Sequence, residues 1–559
     1  MKKIIYTILL LCFIPVLLSA QHENVPLENP VYDYLKIMSV KKIINSIHDD
    51  NPNMSRFEVA DFLTQISGKE NELSKVEKEL LKKYTIEFVD NEESRNNTYS
   101  FLGGNVYPKY PLSDFFSDKK KYIYAYERNE NNFFADVMGH LNPIGELKPD
   151  KMNSWLFDGG FRVRGTFFDH LGYYFSLIKG GATGPANLSE MVDPRLLTNF
   201  KFNEHLENLR NYDFHEAYLR YYAEPSEGMK LSLQFGREPI KFGHGYSNSM
   251  TLSGLGPVMD FFKFGFTYGV VNYSSIHAST VGNFGAPADR YTKYFAANRL
   301  QLSFDDVLDV GIMESMIYSG RGVEFAYLPP IVFYKFAEMS IQDRDNGALG
   351  MDLQTHFLKN AEFQFSFFMD ENPIGNLQDL NMAKANKTGY QIGAFFYEPL
   401  KIPNLSFALE YTRIRPYTYT HENPENTYTA YGVILGHSIG PNADQVYSKL
   451  NYNLSSKLSF FLEYQHIRKG KNIVDASGNL IKNVGGDAFT PYREGIDSPD
   501  AFFLDGIRFS TDILGGTLRF EPIRGFTFDI NLTYSRENNI TANIVKDMVY
   551  SYLRFSLEY

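Results

Sequence analysis

The stretch "GREPIKFGHGYSNS", Gly236 to Ser249, has the residue types of a ligand loop: three glycines, two cations and a histidine. Its core "GHGYSN" begins like G-x-G-x-x-G but has no third glycine. No strand–helix–strand pattern surrounds it, which excludes a dinucleotide or phosphate cradle. "GYSNS" is not the G-x-S-x-G elbow of an acyl-transfer nucleophile. No H-E-x-x-H occurs. His421, in "THENPE", has no second histidine one turn on, and Pro424 would break a helix there. Asp370 and Glu371 in "MDEN" have the oxygen chemistry to hold a divalent ion at a loop; the competing reading is an exposed turn. His170, His277, His356 and His466 are scattered without an elbow, so a lipase or acyltransferase has no support. Neither a cofactor nor a metal is expected.

The elements that must position these side chains read as strands. "FRVRGTF" sets Phe161, Val163 and Phe167 against Arg162, Arg164 and Thr166. "HEAYLRYYAE", "EFQFSFFMD" and "FTFDINLTYS" alternate in the same way. The final "VYSYLRFSLEY" places Leu557, Phe555 and Leu553 on one face, Glu558, Ser556 and Arg554 on the other, and ends on an aromatic. Period two with a lipid-fit face and a water-fit face is the pattern of a transmembrane β-barrel, and a terminal aromatic is what such barrels present to the barrel assembly machinery. A soluble barrel shows the inverse arrangement; the leader, the final aromatic and the charged inner face decide between them. Residues 131–559 are expected to form the barrel. At roughly 24 residues per strand and turn, that length makes about 18 strands.

Two charged positions conflict with strict alternation. Met229, Leu231, Leu233 and Phe235 occupy one lipid face, and continuing it would put Arg237 in lipid at roughly 2–4 kcal/mol at mid-depth. The register is therefore expected to change at Gly236, or the strand to leave the membrane there, re-aiming Arg237, Lys241 and His244 to the lumen or the rim. Glu314 interrupts the apolar run "VGIMESMIY". It is expected to turn inward and pair with an arginine such as Arg321 or Arg344.

The start of the chain differs. Lys2 and Lys3 precede an apolar run from Ile4 to Leu18 and the small residues Ser19 and Ala20, the order of a secretory signal peptide over 1–20. The one cysteine, Cys12, would leave with it, so no disulfide, thiolate or Cys metal site is expected. Residues 21–90 read as a periplasmic helical region. "SRFE" and "SKVE" are capping boxes, Ser55 with Glu58 and Ser74 with Glu77, each ahead of helical apolar spacing. Residues 91–130 are polar and irregular, a connector. Composition agrees with this layout. The 559 residues are 43% hydrophobic with a mean hydropathy of −0.30, and 16% aromatic with a single Trp155. No second apolar run is long enough for a helical span. Without the leader, 53 basic face 66 acidic residues, a net of −13, which argues against nucleic acid.

The order of motifs resembles the Wzi-type capsule assembly proteins, in the form found in Bacteroidetes-type bacteria. The resemblance runs through "GREPIKFGHGYSNSMTLSGLGPVMDFFKFGFTYGVVNYSSIHAS", "YFAANRLQLSF", "ESMIYSGRGVEFAYLPPIVFYKFAE", "QDRDNGALGMDL", "ALEYTRIRPYTYTH" and "YGVILGHSIGPNADQVYSKLNYNLS", and covers most of the mature chain. One departure is Phe242, where a tryptophan is expected. The resemblance implies a monomeric, non-catalytic outer-membrane barrel, set in lipid and lipopolysaccharide, that binds capsular polysaccharide. Sugar binding needs planar hydrogen-bonding groups and aromatic faces, and anionic capsules add a need for Arg and Lys. The matching positions are Arg237, His244, Tyr246, His277, Glu314, Tyr318, Arg321, Glu324, Arg344, Asp345, Asn346, Glu410, His421 and His437. The competing reading of this set is an internal salt-bridge network that braces the barrel. The competing function is a porin for small solutes.

Overall fold

In the computed structural model the described residues are 21–89, 115–128, 130–203, 209–282, 290–304, 307–342, 344–370 and 386–559. The leader, most of the connector and Glu371 lie outside them.

Alternation builds one antiparallel sheet. Each wall strand pairs with the next in sequence, from Asn131–Lys148 to Ile544–Glu558. The first and last strands close the cylinder through pairs such as Met138↔Glu558 and Leu141↔Phe555. The result is a closed barrel of 18 strands. A short strand, Tyr124–Arg128, lies beside the start of the first strand and is not part of the closure. The carboxy-terminal Tyr559 joins the closure by exchanging two backbone hydrogen bonds with Val137.

The two faces fall as the pattern requires. Phe161 (42% exposed), Leu219, Phe365 and Leu532 point outward, while Arg164, Arg220, Gln364 and Asn531 are buried inside. One end of the cylinder carries short turns, such as those at 227–228, 269–270 and 524–525. The other carries long connections, at 239–258, 320–345, 415–442 and 472–506.

Three helices, α1 (Val31–Val40), α2 (Arg56–Ser67) and α3 (Lys75–Phe88), sit in the short-turn end. Both expected capping boxes form: Ser55 and Ser74 accept from the N–H groups of Glu58 and Glu77, and both glutamates return the bond. Each cap is worth about 1 kcal/mol. The apolar sides of the helices, including Leu35, Met38, Val59 and Leu63, bury against one another and against Tyr397 of the wall. Polar contacts complete the docking. Glu77 takes Lys41 and the Tyr397 hydroxyl (2.8 Å), and the Asn360 N–H donates to the Val40 carbonyl.

The long-loop half of the lumen is filled differently. Segments 239–258 and 415–442 fold inward and bring Phe242, Met250, Leu252, Tyr419, Tyr428 and Leu435 into one apolar core with inward wall residues. The interior is therefore polar around the helices and apolar beneath the loops.

Gly236 does not mark a register change. Pairing with both neighbouring strands runs unbroken through Gly236 to Arg237, and with Met259–Tyr268 on to Glu238. Glycine is required because φ is +145° and a Cβ would lie 2.2 Å from the Ala217 carbonyl oxygen. The strand ends at Glu238, so the alternative of leaving the wall is the one realised, two residues beyond the glycine.

Candidate functional site

The candidate residues separate into three places. The first is the lumen. His244, Tyr246, Glu410 and His437 meet there because segment 239–258 turns in after Pro239. The N–H groups of Tyr246 and Ser247 donate to Glu410 at 2.7 and 3.1 Å, and Ser247 lies 3.1 Å from His437 Nε2. The Tyr246 hydroxyl donates to Glu362 (2.9 Å), which also takes Lys36 of α1. His244 is enclosed by Asp49 at 3.2 Å and Asp352 at 3.4 Å, ion-pair contacts without hydrogen-bond alignment. Arg299 then joins Asp352 to Asp50. One charged network thus ties helical region, inward segment and wall together.

Burial opposes charge on His244, but Asp352 and Asp49 outweigh it and raise its pKa above the ordinary imidazole value. Burial likewise opposes charge on Asp49, yet Lys36 and His244 hold its carboxyl well below the usual range. His437 has no such partner, and burial pushes it down to about 3. Asn346 also belongs to the lumen, donating to the Asn426 carbonyl at 2.8 Å. Phe242 is fully buried in the apolar core and bridges to Leu252, so it presents no face to a sugar. Asp370 is buried too and accepts from the Tyr419 N–H, so it is neither an exposed turn nor free for an ion. Among the described residues no group of three or more His, Cys, Asp or Glu could hold a metal.

The second place is the outer wall. Glu314 does not turn inward and has no arginine partner among the described residues. It shares a face with Ile312 (47% exposed), and its carboxylate accepts from the Tyr334 N–H at 3.0 Å. This works because the segment Gly320–Gln342 folds back over the outer wall as a strap, ending in the short helix Tyr334–Ser340. Beneath it His277 meets the Tyr318 hydroxyl at 2.8 Å, and Asn298 donates to Val332 and accepts from Tyr334. The ends of the strap are fastened by Arg321, which grips Asp345 with two nitrogens and faces Glu324 at 3.4 Å. Tyr327 donates to the same Asp345. The strap's other side bears Phe325, Ile331, Phe333, Phe336 and Met339, each more than 60% exposed. Lipid-facing polar groups are costly, and here protein backbone covers them. His277, Glu314, Tyr318, Arg321, Glu324 and Asp345 therefore hold this strap and do not line the lumen.

The third place is the loop end. Arg237 stays on the outer face at the rim, where it forms a two-nitrogen pair with Asp260 (2.7 Å each) and meets His215. Arg344 is exposed beside the loops and His421 lies in 415–442. The residue-by-residue reading missed segment 472–506. It exposes Phe489 and Phe502, and near them Arg413 stacks on Phe503 (3.8 Å) and Arg493 pairs with Asp497. A long Gly-, Asp- and Pro-bearing insertion between two strands was the available signal.

A family model described as "Capsule assembly protein Wzi" matches residues 202–495, just over half of the chain. The chain belongs to the Wzi capsule assembly family. As a Wzi-family barrel it resides in the outer membrane. Among solved structures it resembles that of Escherichia coli Wzi, described as an outer-membrane protein involved in group 1 capsule assembly and a carbohydrate-binding β-barrel. Identity is 13%, the TM-score 0.55, and 96% of this chain and 99% of that one are covered. Pseudomonas aeruginosa OprD (11% identity, TM-score 0.41, 76% and 95% covered) and OccK1 (10%, 0.42, 76% and 98%) also match. No curated protein sequence matches.

Proposed function

We propose that this Wzi-family barrel binds capsular or another surface polysaccharide at its long-loop mouth and supports assembly and attachment of that polymer, without catalysis. The observation that carries the reading is the filled lumen. Inward segments and helices occupy both halves of the barrel, so in this reading a polymer outside the cell meets the loop surface. That end offers exposed Phe489 and Phe502 with Arg493 on the same connection, and Arg344 and His421 on other connections of the same end, the planar and aromatic groups sugars require. In this reading a signal peptide exports the chain and the barrel assembly machinery inserts it as a monomer. The helices face the periplasm, since short turns mark that side in outer-membrane barrels, and lipopolysaccharide surrounds the loop rim.

Purified barrel is titrated with surface polysaccharide from the same cells. Saturable binding that falls on Phe502→Ala and Arg493→Ala supports the reading; no binding, with step conductance in planar bilayers, would replace it with the porin.

A further inference from the structure

A cavity of about 200 Å³ lies between the helical region and the wall at the short-turn end. It is remote from the loop mouth. The wall side is the inward set of adjacent strands: Lys230, Ser232 and Gln234 of Met229–Glu238, Lys263 of Met259–Tyr268, and Asn272 of Val271–Val281. The helical side is Asn51, Asn53, Phe57, Glu58 and Phe62, with exposed Asp61 at the edge.

Three features point to a ligand. First, the charges are unevenly satisfied. Asp50 takes Arg299 at 2.5 Å, and Glu58 accepts from the Ser55 N–H at 2.8 Å and faces Arg220 at 3.6 Å. No carboxylate lies within ion-pair distance of Lys230 or Lys263 among the described residues; Lys263 donates only to Asn51, at 2.8 Å. Second, hydrogen-bonding capacity is unspent. Five lining residues keep a buried polar atom without a protein partner: His48 Nδ1, Asn53 Oδ1, Tyr222 OH, Asn272 Oδ1 and the second carboxylate oxygen of Asp50, Oδ1. Third, Phe57 and Phe62 supply ring faces on the opposite wall. Cations without a close ion-pair contact, amide and hydroxyl groups, and an aromatic side are what a sugar ring bearing a carboxylate requires, although the charge of Glu58 already reaches Lys230 and that of Glu238 reaches Lys263.

We propose that this cavity binds a single hexuronate unit, its carboxylate between Lys230 and Lys263, its hydroxyls on Asn53, Asn272 and Tyr222, and its ring against Phe57 and Phe62. The proposal rests on the carbohydrate reading above but concerns a second site, which would hold the polymer's acidic sugar on the side opposite the loops.

The test is calorimetric titration of the full barrel in detergent with glucuronate, glucose and inorganic phosphate. Glucuronate is expected to saturate the site, with glucose at least about tenfold weaker. Lys230→Gln with Lys263→Gln should bring glucuronate to the level of glucose, and Asn272→Ala should weaken both sugars. Heat-modifiable migration on gels confirms that each variant is folded. Absence of glucuronate binding overturns the proposal. So does phosphate binding as tightly as glucuronate with Asn272→Ala without effect, which defines a bare anion site. Surface polysaccharide is titrated in parallel. Polymer binding that persists while glucuronate binding is absent sinks this inference and leaves the proposed function intact.

Discussion

Replacing Lys36 by methionine should loosen the helical region from the barrel. Lys36 Nζ lies 2.5 Å from Asp49 and 2.6 Å from Glu362, so one cation of α1 neutralises a carboxylate of its own region and one of the wall. The side chains of Lys36, Glu362 and Asp49 are 13%, 2% and 23% exposed. Removing one partner of a buried pair costs ~3–5 kcal/mol. Solvent reaching Asp49 lowers that, and about 3 kcal/mol remains, which multiplies the undocked population ~100-fold. The apolar contacts of Leu35 and Met38 survive the substitution, so docking is weakened and not abolished. The assay is limited proteolysis of the helical region in detergent-solubilised barrel, under conditions where cleavage tracks the open population. Cleavage between α1 and α2 should accelerate by about two orders of magnitude. Adding Glu362→Gln should recover part of the loss, because Asp49 keeps His244 at 3.2 Å and no buried wall carboxylate is then left without its cation. A cleavage rate within threefold of the parent would refute the claim that this network fastens the helices.

Four further outcomes follow from the same geometry. His437 is neutral in the fold with a pKa of about 3 against about 6.5 unfolded, so its contribution is full above pH 6.5 and lost as pH falls toward 3, at ~1.4 kcal/mol per unit. His437→Gln should flatten the acid limb of a thermal-stability profile relative to the parent. His244 has the opposite sign: its raised value makes its contribution complete below pH 6.5 and lost as pH rises through the folded value, so His244→Gln should be most damaging at pH 5–6 in the same assay. Glu314→Ala strips the acceptor from the Tyr334 N–H at about 1–3 kcal/mol, and a cysteine placed at Met339 should then label with a water-soluble maleimide faster than in the parent. Gly236→Ala should cut the yield of heat-modifiable barrel, since no side chain fits against Ala217 there.

Much of the architecture was legible because one physical rule generates it. A strand with lipid on one side must alternate, and "HEAYLRYYAE" or "FTFDINLTYS" states both face and register without neighbours. The capping boxes at Ser55 and Ser74 were equally local. What escaped needed a second layer. Glu314 violates the lipid rule only if nothing covers it, and the cover is a segment six or more residues further on, folded back across four strands. Arg237 looked misplaced for the same reason. Its depth is set by where the strand ends, which alternation does not encode. His244, Tyr246, Glu410 and His437 are distant in sequence but share one network, because 239–258 turns inward after Pro239. Their residue types were suggestive of sugar binding, and their contacts are with the protein itself.

The barrel is proposed to hold polysaccharide at the cell surface. The most direct measurement of this role is deletion of the gene, with polysaccharide scored separately as cell-attached and as shed, and complementation by the parent chain and by Phe502→Ala with Arg493→Ala. Attachment is expected to be lost on deletion while shedding continues, to return with the parent chain, and not to return with the loop variant. Unchanged attachment on deletion would contradict this role.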